Sequence, residues 1–159
     1  MTEAPATRTV LIMGVGNTLL KDDGIGIHVT EAIKPRADYK IIDGGTIGLS
    51  LLPEIEDADA VIIVDASEIG EHPGSIRIFR NREIDHQLSG KKKTVHEVAL
   101  ADLFSAAAIR GKCPTERALI AIQPASTDWG LEPTPEVEAA IPRACVAIEN
   151  ITEEWCNGT

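Results

Sequence analysis

The sequence has few aromatic residues, few basic residues and no long apolar run. Aromatic side chains make up 3% of its 159 residues, so a core has to be built mainly from Ile, Val, Leu and Ala. Cores of this composition are typical of parallel sheets that are covered by helices on both faces. No apolar stretch approaches the roughly 20 residues that cross a bilayer, so we expect no membrane-spanning segment.

Basic residues are outnumbered by acidic ones, 15 to 25, and the formal net charge is −10. This balance argues against nucleic acid and against an anionic membrane surface as partners, because both bind through Lys and Arg. Residues 1–9 are polar and contain no apolar targeting segment. Cys113, Cys145 and Cys156 have neither metal-ligand nor redox spacing. We therefore expect free thiols in a cytoplasmic protein.

Apolar runs and turn residues alternate along the chain in the order expected of an α/β protein. Strands are predicted at 10–13, 39–42, 60–65, 75–79 and 117–122, and helices at 24–34, 48–55 and 95–109. A long terminal helix is predicted from Pro135, kinked at Pro142, and residues 80–93 are predicted to form a loop. We expect one domain over 1–159 with flexible ends at 1–8 and 156–159. Its fold is predicted to be a three-layer sandwich, with a mostly parallel, mixed, five-stranded sheet flanked by helices.

The segment G-V-G-N-T-L-L-K-D-D-G at 14–24 joins the first strand to the first helix and contains two adjacent acids. At a helix N-terminus, one of Asp22 and Asp23 is expected to cap the helix, which leaves the other free to face a pocket. Asp65 ends the most hydrophobic strand of the chain. The carboxyl ends of parallel strands meet at one edge of a sheet, so Asp23 and Asp65 are expected to converge there.

His96 is the third candidate for chemistry. Thr94 and Glu97 are spaced as a capping box, which places His96 in the first turn of a helix. The positive end of the helix dipole disfavours an imidazolium, so we expect a neutral ring at pH 7 that can offer a nitrogen to a metal. Two carboxylates and one imidazole suit a divalent ion with open coordination positions, although spacing alone is a weak indication of a metal site.

Other functions fit the sequence less well. Gly14 and Gly16 do not continue into a dinucleotide fingerprint, because Leu19 stands where the third glycine belongs. A phosphoacceptor receiver module is the main alternative, but Gln123 and Pro124 follow the last strand where a receiver presents Lys. No serine or cysteine has the sequence setting of an activated nucleophile. The basic run 91–93 is interpreted as a solvated loop rather than as a docking site for an acidic partner.

Five motifs occur together in the order found in one known family. They are G-V-G-N-T-L-L-K-D-D-G-I-G, D-G-G-T-I-G at 43–48, I-I-V-D-A at 62–66, H-E-V at 96–98 and A-I-Q-P at 121–124. In these motifs the chain resembles the hydrogenase maturation proteases, over roughly residues 9–150. The resemblance implies an α/β sandwich and a monomeric, cytoplasmic endopeptidase of the aspartic type. Such an enzyme removes the C-terminal extension from the nickel-loaded precursor of the nickel-iron hydrogenase large subunit.

The resemblance also implies which residues recognise the substrate. The family's nickel ligands map to Asp23, Asp65 and His96, and this assignment leaves Asp22 as the helix cap. The nickel is carried by the precursor, no organic cofactor is implied, and Asp23 and Asp65 are also the candidate catalytic residues.

The D-G-G-T-I-G segment resembles a substrate-cleft element formed by Gly44, Gly45 and Thr46, although a simple turn is equally compatible. Asp43 is not assigned a catalytic role. Trp129 departs from the family pattern, so the sequence does not indicate which hydrogenase is processed. A nickel-handling module that cuts nothing is a further alternative.

Overall fold

A computed structural model describes residues 8–45, 48–89 and 95–157. Its five strands form a single sheet in the order β2-β1-β3-β5-β4. The strands are β1 Val10–Val15, β2 Tyr39–Gly45, β3 Ala60–Ala66, β4 Ile76–Arg80 and β5 Glu116–Ile122. Three of the four pairings are parallel, and β4 runs antiparallel to β5 at one edge. The predicted mixed, mostly parallel α/β sheet is confirmed.

Helices cover both faces of the sheet in the described part of the chain. They are α1 Ile25–Ala32, α2 Leu52–Asp57, α3 Arg82–Leu88, α4 Val95–Ile109, α5 Pro135–Glu138 and α6 Ile141–Asn157. Short 3-10 turns at Lys21–Gly24 and Leu49–Leu51 precede α1 and α2. None of the described helices combines the length and the hydropathy needed to cross a membrane.

The two faces of the sheet carry separate apolar cores, as the alternation of side chains along a strand requires. Val10 and Ile12 pack with α1, α5 and α6. Leu11 and Met13 pack with α2, α3 and α4 on the opposite face. Every residue of β1 and β3 is buried, so these two strands form the centre of the sheet.

Two sequence predictions are wrong. Part of the predicted 80–93 loop forms α3, because Ile84 and Leu88 lie one turn apart and both are buried in the core. The predicted terminal helix is two helices, α5 and α6, separated at 139–140 rather than kinked at Pro142. Pro142 lies in the first turn of α6, where its missing N–H costs no intrahelical hydrogen bond.

Helix α1 begins directly over the ends of the two central strands. A Cβ atom added to Gly26 would lie 2.1 Å from the carbonyl oxygen of Val64, so only glycine allows this approach. Gly14 is equally restricted, since its added Cβ would lie 2.3 Å from the Gly26 carbonyl oxygen. This close packing places the 3-10 turn that contains Asp23 at the same sheet edge as Asp65, one residue beyond Val64.

Candidate functional site

Asp23 and His96 are in direct contact although 73 residues separate them. Their nearest side-chain atoms, Asp23 Oδ2 and His96 Nε2, are 3.2 Å apart, and both side chains keep a small exposed fraction of 17% and 15%. The backbone N–H of Asn17 donates to the same Asp23 oxygen at 2.9 Å. The strand exit, the 3-10 turn and the first turn of α4 therefore meet at one point.

This contact shifts the pKa of both partners. Burial acts to raise the pKa of Asp23, but the hydrogen bonds with His96 and Asn17 outweigh burial and lower it. The bond to Asp23 raises the pKa of His96, against the effect of partial burial. The charge of Glu97 acts in the same direction. We expected the helix terminus to lower the pKa of His96 and so to keep its ring neutral. The pKa is raised instead, because a carboxylate at 3.2 Å outweighs a partial dipole charge.

Asp65 is a buried acid at this edge, with 2% of its surface exposed. Burial raises its pKa well above the ordinary value, and the neighbouring charges of Asp23 and Glu97 raise it further. Its Oδ1 atom has no hydrogen-bond partner among the described residues. A buried carboxylate oxygen without a partner is costly, and a cation or a hydrogen-bond donor would satisfy it.

The three predicted ligands do not form a preassembled metal site. Among the described residues, no group of three His, Cys, Asp or Glu side chains is arranged to hold a metal ion. Asp23 contacts His96, and Asp65 lies close enough to Asp23 for their charges to interact. The edge thus brings acidic side chains and one imidazole close together without forming a closed coordination shell.

Asp22 has a role that the sequence did not predict. The cap prediction is wrong, since Gly24 occupies the N-cap of α1 and no side chain bonds there. The Asp22 carboxylate is fully buried. It accepts hydrogen bonds from the N–H groups of Ala125, Ser126 and Thr134, at 2.9, 3.0 and 2.7 Å. A fourth bond comes from the Thr134 hydroxyl at 2.8 Å.

These bonds also set the ionisation of Asp22. Burial acts to raise its pKa, but the N–H donors of Ser126, Thr134 and Ala125 together outweigh burial and lower it. The carboxylate therefore ties both ends of the 126–133 loop to the turn that carries Asp23. Its partners lie more than 100 residues away, so no local pattern could have indicated them.

Gln123 is a second residue whose role was missed. It is 4% exposed, and its Oε1 accepts a hydrogen bond from the Ile69 N–H at 2.8 Å. Its amide nitrogen donates to Glu68 Oε1 at 2.8 Å. Gln123 thus holds the segment that follows Asp65. The A-I-Q-P motif was the available indication, although it gave no role.

The predicted cleft element is partly described. Gly45 has φ 49°, a conformation that favours glycine, and its N–H donates to Asp43 Oδ1 at 2.8 Å. Its carbonyl accepts the Gly16 N–H at 3.0 Å, which fixes the turn against the exit of β1. A Cβ added to Gly44 would lie 2.9 Å from Met13 Cγ. Thr46 lies outside the described residues, as do Thr94 of the predicted capping box and the basic run 91–93.

Comparison with known proteins shows which family this chain belongs to. A family model described as hydrogenase maturation protease matches residues 8–151. The chain belongs to the hydrogenase maturation protease family, and it is therefore a peptidase that acts in hydrogenase maturation. The resemblance inferred from the motifs is confirmed.

Individual relatives agree with this assignment. The hydrogenase 2 maturation protease of Escherichia coli K12 is 38% identical over 137 residues, which cover 83% of each chain. The hydrogenase expression/formation protein HupD of Bradyrhizobium diazoefficiens is 34% identical over 92% of this chain and 79% of its own. The structure of the maturating endopeptidase HybD from E. coli superimposes with a TM-score of 0.86 at 33% identity, covering 92% of this chain and 93% of that one.

Proposed function

We propose that the protein removes the C-terminal extension of a nickel-iron hydrogenase large-subunit precursor, and that nickel already bound to the precursor is its recognition signal. The observation that carries this proposal is the contact between Asp23 and His96 beside the unpartnered Oδ1 of Asp65. Carboxylate and imidazole are suitable ligands for a divalent transition metal. The protein acts as a cytoplasmic monomer on another protein, without nucleic acid or membrane, in keeping with its net charge of −10.

Nickel enters the site as part of the substrate. Asp23, Asp65 and His96 supply too few donors for a complete shell, so thiolates of the precursor supply the others. The cation would give Asp65 Oδ1 the partner that it lacks and would offset the repulsion between the acids. Binding of the metal thus aligns the scissile peptide with the cleft only after nickel has been inserted.

The cut itself requires a nucleophile, and water is the best candidate. Among the described residues, no serine hydroxyl or cysteine thiol hydrogen-bonds to a histidine ring, as an activated nucleophile would. Water attacks the peptide carbonyl, a carboxylate accepts the proton, and the leaving amine receives it. Asp23 and Asp65 are the candidates for that carboxylate.

Incubation with nickel-loaded and nickel-free precursor tests the proposal. We expect the large subunit to be shortened only in the loaded sample, and we expect no shortening by Asp65→Asn or His96→Ala. Asp102→Asn, an exposed acid in α4, is the matched control and should process normally. Equal cleavage of both precursors, or normal activity of Asp65→Asn, would contradict nickel recognition by this site.

Elemental analysis separates a substrate-borne metal from a resident one. After treatment with a chelator, the isolated protein should contain far less than one nickel per chain, because its donor set is incomplete. Zinc or cadmium in excess should still perturb the NMR signals of His96. One nickel retained per chain after chelation would show a resident metal site instead.

A further inference from the structure

Two large apolar side chains on the 126–133 loop are open to solvent. Trp129 is 77% exposed and Leu131 is 71% exposed. Single exposed apolar residues are ordinary, but a tryptophan and a leucine two positions apart form a patch, and such patches mark interaction sites. Neither side chain belongs to the candidate site of Asp23, Asp65 and His96.

A backbone bridge adds a third apolar residue to this patch. The Gly130 N–H donates to the Leu19 carbonyl at 2.9 Å, and the Lys21 N–H donates to the Gly130 carbonyl at 2.9 Å. Leu19 is 49% exposed. Lys21 adopts φ 44°, which is strained for a residue other than glycine, and the bridge holds it there. The 126–133 loop and the 17–21 turn thus form one supported surface.

Hydrogen bonds connect this surface to the proposed nickel site. Asn17 accepts the Leu19 N–H through its Oδ1 at 2.9 Å and donates its own N–H to Asp23. On the other side, Asp22 bonds both ends of the 126–133 loop and directly precedes Asp23. The position of the apolar patch relative to Asp23 is therefore fixed by the fold.

We propose that Trp129, Leu131 and Leu19 form a docking surface for the folded body of the hydrogenase precursor. This surface is separate from the site that binds the precursor's nickel. This inference rests on the proposed function. The occupant follows from continuity with the site, because a protein substrate that places its metal between Asp23 and His96 has to pass over the adjoining loop. Buried tryptophans are among the residues that contribute most to binding at protein interfaces.

Steady-state kinetics on nickel-loaded precursor tests this surface. Trp129→Ser and Leu131→Ser should each raise KM, with Trp129→Ser raising it by about tenfold, while kcat stays within about twofold. Leu19→Ser is a third variant, on the other side of the bridge. The loop is held through backbone groups and Asp22, so the variants should keep the wild-type unfolding temperature. Ile109→Ser is the matched control, since Ile109 is 87% exposed at the far end of α4 and should leave KM unchanged.

Three outcomes would overturn the inference. Wild-type KM in both Trp129→Ser and Leu131→Ser would show that the precursor does not touch the patch, while the proposed function would stand. A fall in kcat at constant KM would show a role in the cleft instead of docking. A wild-type dimer that becomes monomeric in Trp129→Ser, measured by sedimentation, would show that a second copy of the chain covers the surface. Failure of the wild type to cut the precursor would instead reject the function itself and this inference with it.

Discussion

The carboxylates of Asp22 and Asp23, neighbours in the chain, serve different parts of the molecule. Asp22 is fully buried and accepts bonds from three backbone N–H groups and one hydroxyl of the 125–134 segment. Asp23 stays partly exposed, with its Oδ2 3.2 Å from His96 Nε2. One acid therefore holds the loop beside the site, and the other is available to a ligand.

Asp22→Asn should destabilise the protein strongly. An asparagine replaces one acceptor oxygen by an NH₂ group that faces an existing N–H donor, so at least one buried bond is lost, and the charge that strengthens the other bonds is removed. We expect the free energy of unfolding at pH 7 to fall by about 3 kcal/mol, measured by urea denaturation. Asp102→Asn should change it by less than about 0.5 kcal/mol. Equal effects of the two substitutions would contradict the anchoring role of Asp22.

The stability that Asp22 provides should depend on pH. Its pKa is lowered by folding, so its contribution is complete above the unfolded value of about 3.9 and is lost as pH falls through the lower folded value. Asp22→Asn does not titrate at this position. The difference in unfolding free energy between wild type and variant should therefore shrink as pH falls below about 4. A difference that stays constant between pH 3 and pH 7 would show that the charge is not responsible.

Asp65→Asn should have the opposite effect on stability. Folding raises the pKa of Asp65, so the wild type loses stability as pH rises from about 3.9 to the folded value. The uncharged variant avoids this loss. Its unfolding temperature should exceed that of the wild type by about 3 °C or more at neutral or higher pH, and the difference should vanish near pH 4. A variant less stable than the wild type at pH 8 would refute a buried charge penalty at Asp65.

The pairing of His96 with Asp23 can be measured by NMR. Asp23 raises the pKa of His96, so Asp23→Asn should lower the midpoint of the His96 ring titration. The ion pair contributes stability below the unfolded histidine value of about 6.5, and this contribution is lost as pH rises through the folded value. Signals of the exposed His86 provide the reference in the same spectra. An unchanged His96 titration in Asp23→Asn would show that the contact is absent in solution.

Much of the fold followed from local pattern. The buried runs that became β1, β3 and β5 are almost continuously apolar, and the antiparallel edge strand β4 alternates. Helix α3 was missed because only Ile84 and Leu88 are apolar in a charged stretch, and their burial depends on a core built by distant residues. The break between α5 and α6 was also missed, because positions 139–140 contain neither glycine nor proline to indicate it.

The sequence by itself determined the family through its five motifs. It also indicated Asp23, Asp65 and His96 as candidate residues, because strand ends and helix starts can be located from local periodicity. Only the tertiary structure decided how these residues are paired. It placed His96 against Asp23 and left Asp65 Oδ1 without a hydrogen-bond partner among the described residues. It also showed that Asp22 holds the 126–133 loop through hydrogen bonds. These relationships join segments 73 to 112 residues apart, and contacts at that separation depend on packing of the whole sheet and its helices.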